Sequence, residues 1–296
     1  MTAVPLRFRE TPIVPLRRDG RMVNAMSVDV EDWFQVQALS GAIDRSDWDR
    51  QLRRVEANTD RILDLFSRAG IHATFFTLGW VAQRHPGLVR RIVAGGHELA
   101  SHGSEHRRAD DQGRDGFRQD IRRAKALLED LSGVAVRGYR APTFSIGAAN
   151  LWAFEVLAEE GYAYSSSVYP VRHDYYGMPS APRFAFQPGP SGFVEYPVTT
   201  LRFGARNVPC GGGGFFRLLP YALSRAAIAR VNRMDDRPAI FYFHPWEIDA
   251  GQPRVSGLPA KARFRHYLNL HRTEKRLERL VRDFAWDRMD TVFQQG

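Results

Sequence analysis

Short apolar runs alternate along the chain with segments whose apolar residues recur at helical spacing. Asn24 to Val30 reads as a strand that leads into an acidic cluster. Asp49 to Ala69 carries Leu52, Val55, Ile62, Leu63, Leu65 and Phe66 on mainly helical spacing, and Gly70 supplies the stop. Ile71 to Thr77 is the next predicted strand. Pro86 to Ala94 follows as a helix ended by Gly95-Gly96, and His97 to Ala100 as a short strand. Gly116 to Leu131 repeats the helical pattern, Val134 to Arg140 is extended, and Ala148 to Glu160 is a helix closed by Gly161. A terminal helix is predicted over Arg263 to Phe284, with Leu268, His271, Leu277, Leu280 and Val281 on one side.

This alternation argues for parallel strands joined by crossover helices. No repeat of fixed period is visible, and two irregular stretches break the rhythm: residues 170–192 and the glycine run 211–214. A single α/β domain over residues 23–296 is expected, as a barrel rather than an open sheet. In barrels the loops at the carboxyl ends of the strands carry the chemistry. Both the acidic cluster after Val30 and the histidines after Ala100 sit at such ends.

Composition adds limits. The 296 residues suffice for a substantial core. The net charge of +9 comes almost wholly from arginine, with lysine only at 125, 261 and 275. No nucleic-acid motif accompanies that charge, so nucleic acid is not an expected partner; acidic glycans and peripheral contact with anionic lipid are compatible with it. Cys210 is the only cysteine, so no intrachain disulfide forms, and the thiol is read as a buried bystander. Residues 1–22 carry Arg7, Arg9, Arg17, Arg18 and Arg21 without the apolar stretch of a signal peptide. Ala239 to Phe243, the longest strongly apolar run, is far too short to span a bilayer. The expectation is a soluble cytoplasmic protein with a flexible basic leader over 1–22, meeting any lipid-linked substrate at the inner membrane face.

The chemistry lies in Asp29, Glu31 and Asp32 together with His102 and His106. Two histidines four apart, plus a carboxylate from a separate element, form a facial set that suits Zn²⁺ or a similar divalent ion. Three protein ligands leave room for water and substrate, which implies hydrolysis more readily than scaffolding. A second, uncoordinated carboxylate can then take a proton from the attacking water. His97 is read as structural. Trp33, Phe144 and Trp246 are candidates to stack on sugar faces, although such residues commonly belong to cores.

Four ordered motifs sharpen this: Ser-Val-Asp-Val-Glu-Asp-Trp (27–33), Gly-His-Glu-Leu-Ala-Ser-His-Gly-Ser-Glu-His (96–106), Arg-Ala-Pro-Thr-Phe (140–144) and Phe-Tyr-Phe-His-Pro-Trp-Glu (241–247). Together they resemble the polysaccharide deacetylases, the NodB-homology enzymes of carbohydrate esterase family 4. The similarity is greatest to a bacterial branch associated with exosortase and exopolysaccharide gene clusters. That branch has a C-terminal extension, here from about residue 200, with a Gly-rich Phe-Arg motif (Gly212 to Arg217) and a His-Pro-Trp-Glu motif (His244 to Glu247). The resemblance implies a deformed (β/α) barrel of fewer than eight strands. It also implies removal of N-acetyl groups from N-acetylhexosamine units of a bacterial polysaccharide, oligosaccharide or precursor. By position, Asp29 is the expected general base, and Asp32, His102 and His106 the metal ligands. Arg140 is expected to orient Asp29, and His244 to act as general acid.

Two departures from the family pattern stand out. The acidic residues read Asp-Val-Glu-Asp where adjacent aspartates are usual, so Glu31 competes with Asp32 as the metal carboxylate. Residues 29 and 31 share a strand face, yet Asp32 is favoured because a turn beginning there can redirect it. Ser165 stands where relatives show an aspartate that helps position the catalytic histidine, which leaves the partner of His244 open to another carboxylate. Two rival readings remain: an allantoinase-like small-molecule amidohydrolase, and a non-catalytic glycan-binding or assembly protein. The oligomeric state is left open.

Overall fold

The computed structural model describes residues 8–293. Its organising element is β1 (Arg21–Val30), buried at every residue except Arg21. A strand covered on both faces and rich in apolar and small residues is suited to the middle of a parallel sheet. Around it stand β2 (Thr74–Thr77), β3 (Glu98–Ser101), β4 (Gly138–Tyr139), β5 (Tyr164–Ser165), β6 (Val194–Glu195) and β7 (Ile240–Phe243). The order is β6-β5-β4-β3-β2-β1-β7, seven strands all parallel to their neighbours. A further strand, β8 (Ala285–Asp287), also pairs with β1 in parallel. The fold is the deformed (β/α) barrel expected.

The wall between β7 and the β5 side is completed by loop backbone. Tyr242 N–H donates to the Gly211 carbonyl (2.8 Å), Gly211 N–H to Thr199 (3.1 Å), and Val198 N–H to Val168 (3.0 Å). Register aligns the strand ends: Val28 lies opposite Phe75 on one side and Phe243 on the other. The carboxyl ends therefore gather at one rim.

Crossover helices wrap the sheet. They are α1 (Val55–Ala69), α2 (Gly79–Arg84), α3 (Pro86–Ala94), α4 (Ala109–Ser132) and α5 (Trp152–Glu159). Gly70 ends α1 in the left-handed conformation (φ 64°), as a glycine at that position allows. The C-terminal half adds α6 (Gly213–Leu218), α7 (Tyr221–Arg230), α8 (Ala260–Tyr267) and α9 (Leu270–Asp283).

Three features differ from expectation. The predicted terminal helix is two helices, because Asn269 takes φ 53° and Leu268 is extended. α2 and α7 were invisible to periodicity: α2 has only six residues, and α7 buries only Ser224 and Ile228, so neither shows an apolar stripe. Finally, residues 8–22 of the expected leader are tied down. Arg9–Glu10 pairs with Phe186–Gln187, Phe8 packs on Phe186 at 4.7 Å, and Ile13 is buried. Residues 1–7 of that leader lie outside the described residues. Among the described residues no helix is long and apolar enough to cross a membrane.

His97 sits at the opposite end of β3 from the histidine pair. Its Nδ1 accepts the Ala73 N–H (3.1 Å) and its ring lies against Phe75. Burial, with a smaller push from His72, lowers its pKa from 6.5 to about 4. Between those values the unfolded chain binds a proton that the fold does not. His97 therefore makes stability fall as pH drops from 6.5 towards 4, by about 3 kcal/mol in full. Urea unfolding at stepped pH should show this slope, and His97→Gln should make it shallower.

Candidate metal centre and active site

The strand period decides which acidic side chains face the rim. Ser27, Asp29 and Glu31 share one face at the end of β1, and all three are buried. Glu31 meets the histidines that follow β3. Its Oε2 lies 2.7 Å from Nε2 of His106 and 4.0 Å from Nε2 of His102. One ligand atom from each of Glu31, His102 and His106 lies within 4.8 Å of the others. Oε2 is fully enclosed and has His106 Nε2 close by, but no well-directed hydrogen bond. A buried carboxylate oxygen beside two imidazoles is the donor set a divalent cation satisfies.

Second contacts set the orientation of these donors. His102 Nδ1–H donates to the Arg140 carbonyl (2.8 Å), which turns Nε2 inward. His106 holds φ 51°, a left-handed turn that brings its ring back beside Glu31. Burial lowers the pKa of His102 to about 4, keeping it the neutral imidazole that a cation needs. Burial alone would raise Glu31, but His106, His244 and His102 outweigh it and hold this carboxyl at about 2.

Asp32, favoured from the sequence as the metal carboxylate, is turned away from the histidines. Its Oδ2 accepts the N–H groups of Arg54 (2.7 Å) and Val55 (3.0 Å), and its Oδ1 that of Trp33 (2.8 Å). Those bonds secure the start of α1. The turn does redirect Asp32, but towards backbone donors that a carboxylate there satisfies.

Asp29 is joined to Arg140 by a fully buried ion pair of 2.6 Å. The other donors of Arg140 reach Ser27 Oγ (2.9 Å), the Ser166 carbonyl (3.0 Å) and Ser166 Oγ (2.9 Å). Its guanidinium also lies over the Phe76 ring at 4.1 Å. The second oxygen of Asp29 is 3.8 Å from Nε2 of His244. The geometry thus brings together five of the predicted residues (Asp29, Arg140, His102, His106 and His244), with Glu31 in place of Asp32.

His244 leaves β7 with its Nδ1–H donating to Glu247 Oε1 at 2.7 Å. Trp246 stacks on the imidazole (5.3 Å, 22°). Burial by itself would lower His244, yet Glu31, Glu247 and Asp29 around it raise it to about 9. Glu247 in turn pairs with Arg217 at 2.6 Å. Burial pushes its carboxyl up, but Arg217 and His244 keep it below the usual range. Neither Glu247 nor Arg217 was assigned from sequence. The signal for Glu247 was its place three residues after His244, with Pro245 between them, a spacing at which a side chain folds back on its N-cap.

These residues line a cleft of about 510 Å³, whose walls include Phe144, Tyr176, Phe215, Trp246 and Phe264. Trp33 does not line it: the ring is buried with its Nε1–H on the Leu52 carbonyl. Cys210 is buried as expected.

Residues 47–164 match the polysaccharide deacetylase family model, and residues 166–294 a domain of unknown function, DUF3473. A chitooligosaccharide deacetylase of Sinorhizobium fredii (strain NGR234) is 30% identical over 148 residues, 50% of this chain and 62% of that protein. Over residues 47–164 the chain is similar to polysaccharide deacetylases. A Bacillus cereus peptidoglycan-N-acetylglucosamine deacetylase is 34% identical over 98 residues, 33% of this chain and 36% of that protein. The chain therefore spans less than two thirds of the length of either relative. Among solved structures, a Mycobacterium smegmatis protein provisionally named a polysaccharide deacetylase superposes with a TM-score of 0.55 at 23% identity, covering 93% of this chain and 95% of that one. A mutant of a Bacillus anthracis CE4 family pseudoenzyme, with restored activity, gives 0.50 at 11% identity over 94% and 69%. At such identities these two likenesses show the fold alone.

The deacetylase match contains His102, His106 and Arg140, whereas Asp29 and Glu31 precede it and His244 follows it. Substitution separates the two acidic candidates. Glu31→Gln should weaken metal retention by more than the roughly 10–100-fold typical of losing an outer-shell partner. Asp32→Ala should keep its metal and lose about 2–4 kcal/mol of stability, because it strands buried N–H groups at the start of α1. Elemental analysis after dialysis and urea unfolding read the two effects.

Proposed function

We propose that this chain is a metal-dependent N-deacetylase acting on N-acetylhexosamine units of a bacterial polysaccharide or its precursor. One observation carries the reading: an arginine-paired carboxylate and a carboxylate-paired histidine face the same Glu31–His102–His106 donor set. A divalent ion held there, Zn²⁺ being well suited to the donors, would polarise the acetamide carbonyl and make a water easier to deprotonate.

The chain's residues account for the rest. Asp29, fixed by Arg140 and Ser27, takes a proton from the water as its oxygen bonds to the carbonyl carbon. The ion pair with Arg140 keeps that carboxylate from turning away while it waits for its proton. His244 presents Nε2 towards the same space, and gives a proton to the amine nitrogen as the carbon–nitrogen bond breaks. The products are acetate and a free amino sugar. Without that proton the nitrogen is a poor leaving group. The aromatic walls of the cleft offer flat apolar faces for the C–H surface of a sugar ring. Curated relatives named for chitooligosaccharide and peptidoglycan deacetylation support the same substrate class.

Metal-loaded protein should release acetate from N-acetylated chitooligosaccharides, and chelation should abolish the release. Asp29→Asn should reduce kcat by about 10²–10⁴-fold with the fold intact. Equal acetate release by Asp29→Asn and wild type, or none by wild type on any N-acetylated glycan, would sink the reading.

A further inference from the structure

Ser165, where the family resemblance leads one to expect an aspartate for the catalytic histidine, does not serve His244. Ser165 Oγ bonds to Glu195. The second oxygen of Glu195 is taken by the N–H groups of Ser167 and Val168, both at 2.7 Å. That carboxylate is consumed in joining β5 to β6.

A different carboxylate stands behind His244. Glu247 Oε1 accepts both Nδ1–H and the backbone N–H (3.1 Å) of His244. Glu247 Oε2 accepts Nε–H of Arg217. The remaining guanidinium nitrogens of Arg217 reach the carbonyls of Arg265, His266 and Leu268 at 2.9–3.0 Å. Arg217 and Glu247 are both buried, so the pair is fixed on every side. The glycine run makes room for it. A Cβ on Gly213 would overlap the Glu247 carboxylate, and one on Gly212 would press on the Tyr242 ring. Trp246 holds the imidazole plane from one face and is itself stacked on His266 at 4.5 Å.

We infer that the segment matching the domain of unknown function completes the active site, with Glu247 and Arg217 as positioning residues that aim Nε2 of His244 at the departing amine. The inference rests on His244 being the acid. A carboxylate on Nδ1 fixes the tautomer and the ring angle, and a charge-assisted bond from Arg217 Nε–H holds the carboxylate by its other oxygen. The Gly-rich Phe-Arg and His-Pro-Trp-Glu motifs are therefore the two halves of one device.

The test compares an amide with an activated ester. Nitrophenolate leaves without being protonated, so 4-nitrophenyl acetate does not need the acid, whereas an N-acetylated chitooligosaccharide does. In full-length metal-loaded enzyme, Glu247→Gln and Arg217→Lys should lower amide kcat about 10²-fold, within the usual range for general acid catalysis. Amide KM should hold, and ester turnover should fall at least about tenfold less than amide turnover. Gly213→Ala removes no polar group and should shift the amide-to-ester ratio the same way, which keeps the test decisive if the charge variants unfold. Ser165→Ala should leave the ratio unchanged. Equal losses on both substrates, or an undiminished amide rate, would overturn the inference while leaving the deacetylase reading intact. Ester but no amide turnover by wild type would remove the acid itself, and both readings with it.

Discussion

The site depends on a charge that the barrel has enclosed. Arg140 has no solvent exposure, and an unpaired guanidinium at that depth would cost several kilocalories per mole. Its position is tolerable only because Asp29, Ser27 and Ser166 meet its donors. Those three residues come from β1 and the end of β5, while Arg140 itself follows β4. Satisfying one side chain thus locks three strand ends together. The same residue acts through its backbone, since its carbonyl takes the Nδ1–H of His102. The Asp29 side and the His102 side of the site are consequently adjusted by one residue.

Much of this was legible because strands and their ends leave strong marks. The strand run before Asp29, the run before His102 and the run before His244 each pointed to a rim position, and each side chain is found there. Periodicity also held Asp29 and Glu31 to one face. The structure places Asp32 outside the Glu31–His102–His106 group, and the donors that capture it, the N–H groups of Arg54 and Val55, lie more than twenty residues away and leave no local trace. Glu247 was closer to view, three residues from His244. Arg217 was not, because its role exists only once α6 has been laid against the turn that follows β7.

Short helices were illegible for a related reason. A helix of six residues, or one that buries two small faces, has too few apolar positions to show a period. The break at Asn269 is a backbone event that residue type scarcely announces. The ordered stretch 8–22 looked like a leader because arginines dominate it, whereas Phe8 and Ile13 are what fasten it. In each case a few buried contacts outweighed the composition of the segment.

Phe243, the last residue of β7, stands in register with Val28, so His244 and Asp29 come next on neighbouring strands of the sheet and its rim. Their backbones therefore start out about one strand spacing apart, about 4.8 Å, before the turn that follows β7 aims the imidazole. Loops around the rim can lengthen, shorten or change sequence without altering that gauge. The two facing side chains are rooted in the most rigid ruler the barrel contains, and the parts that can vary lie outside it.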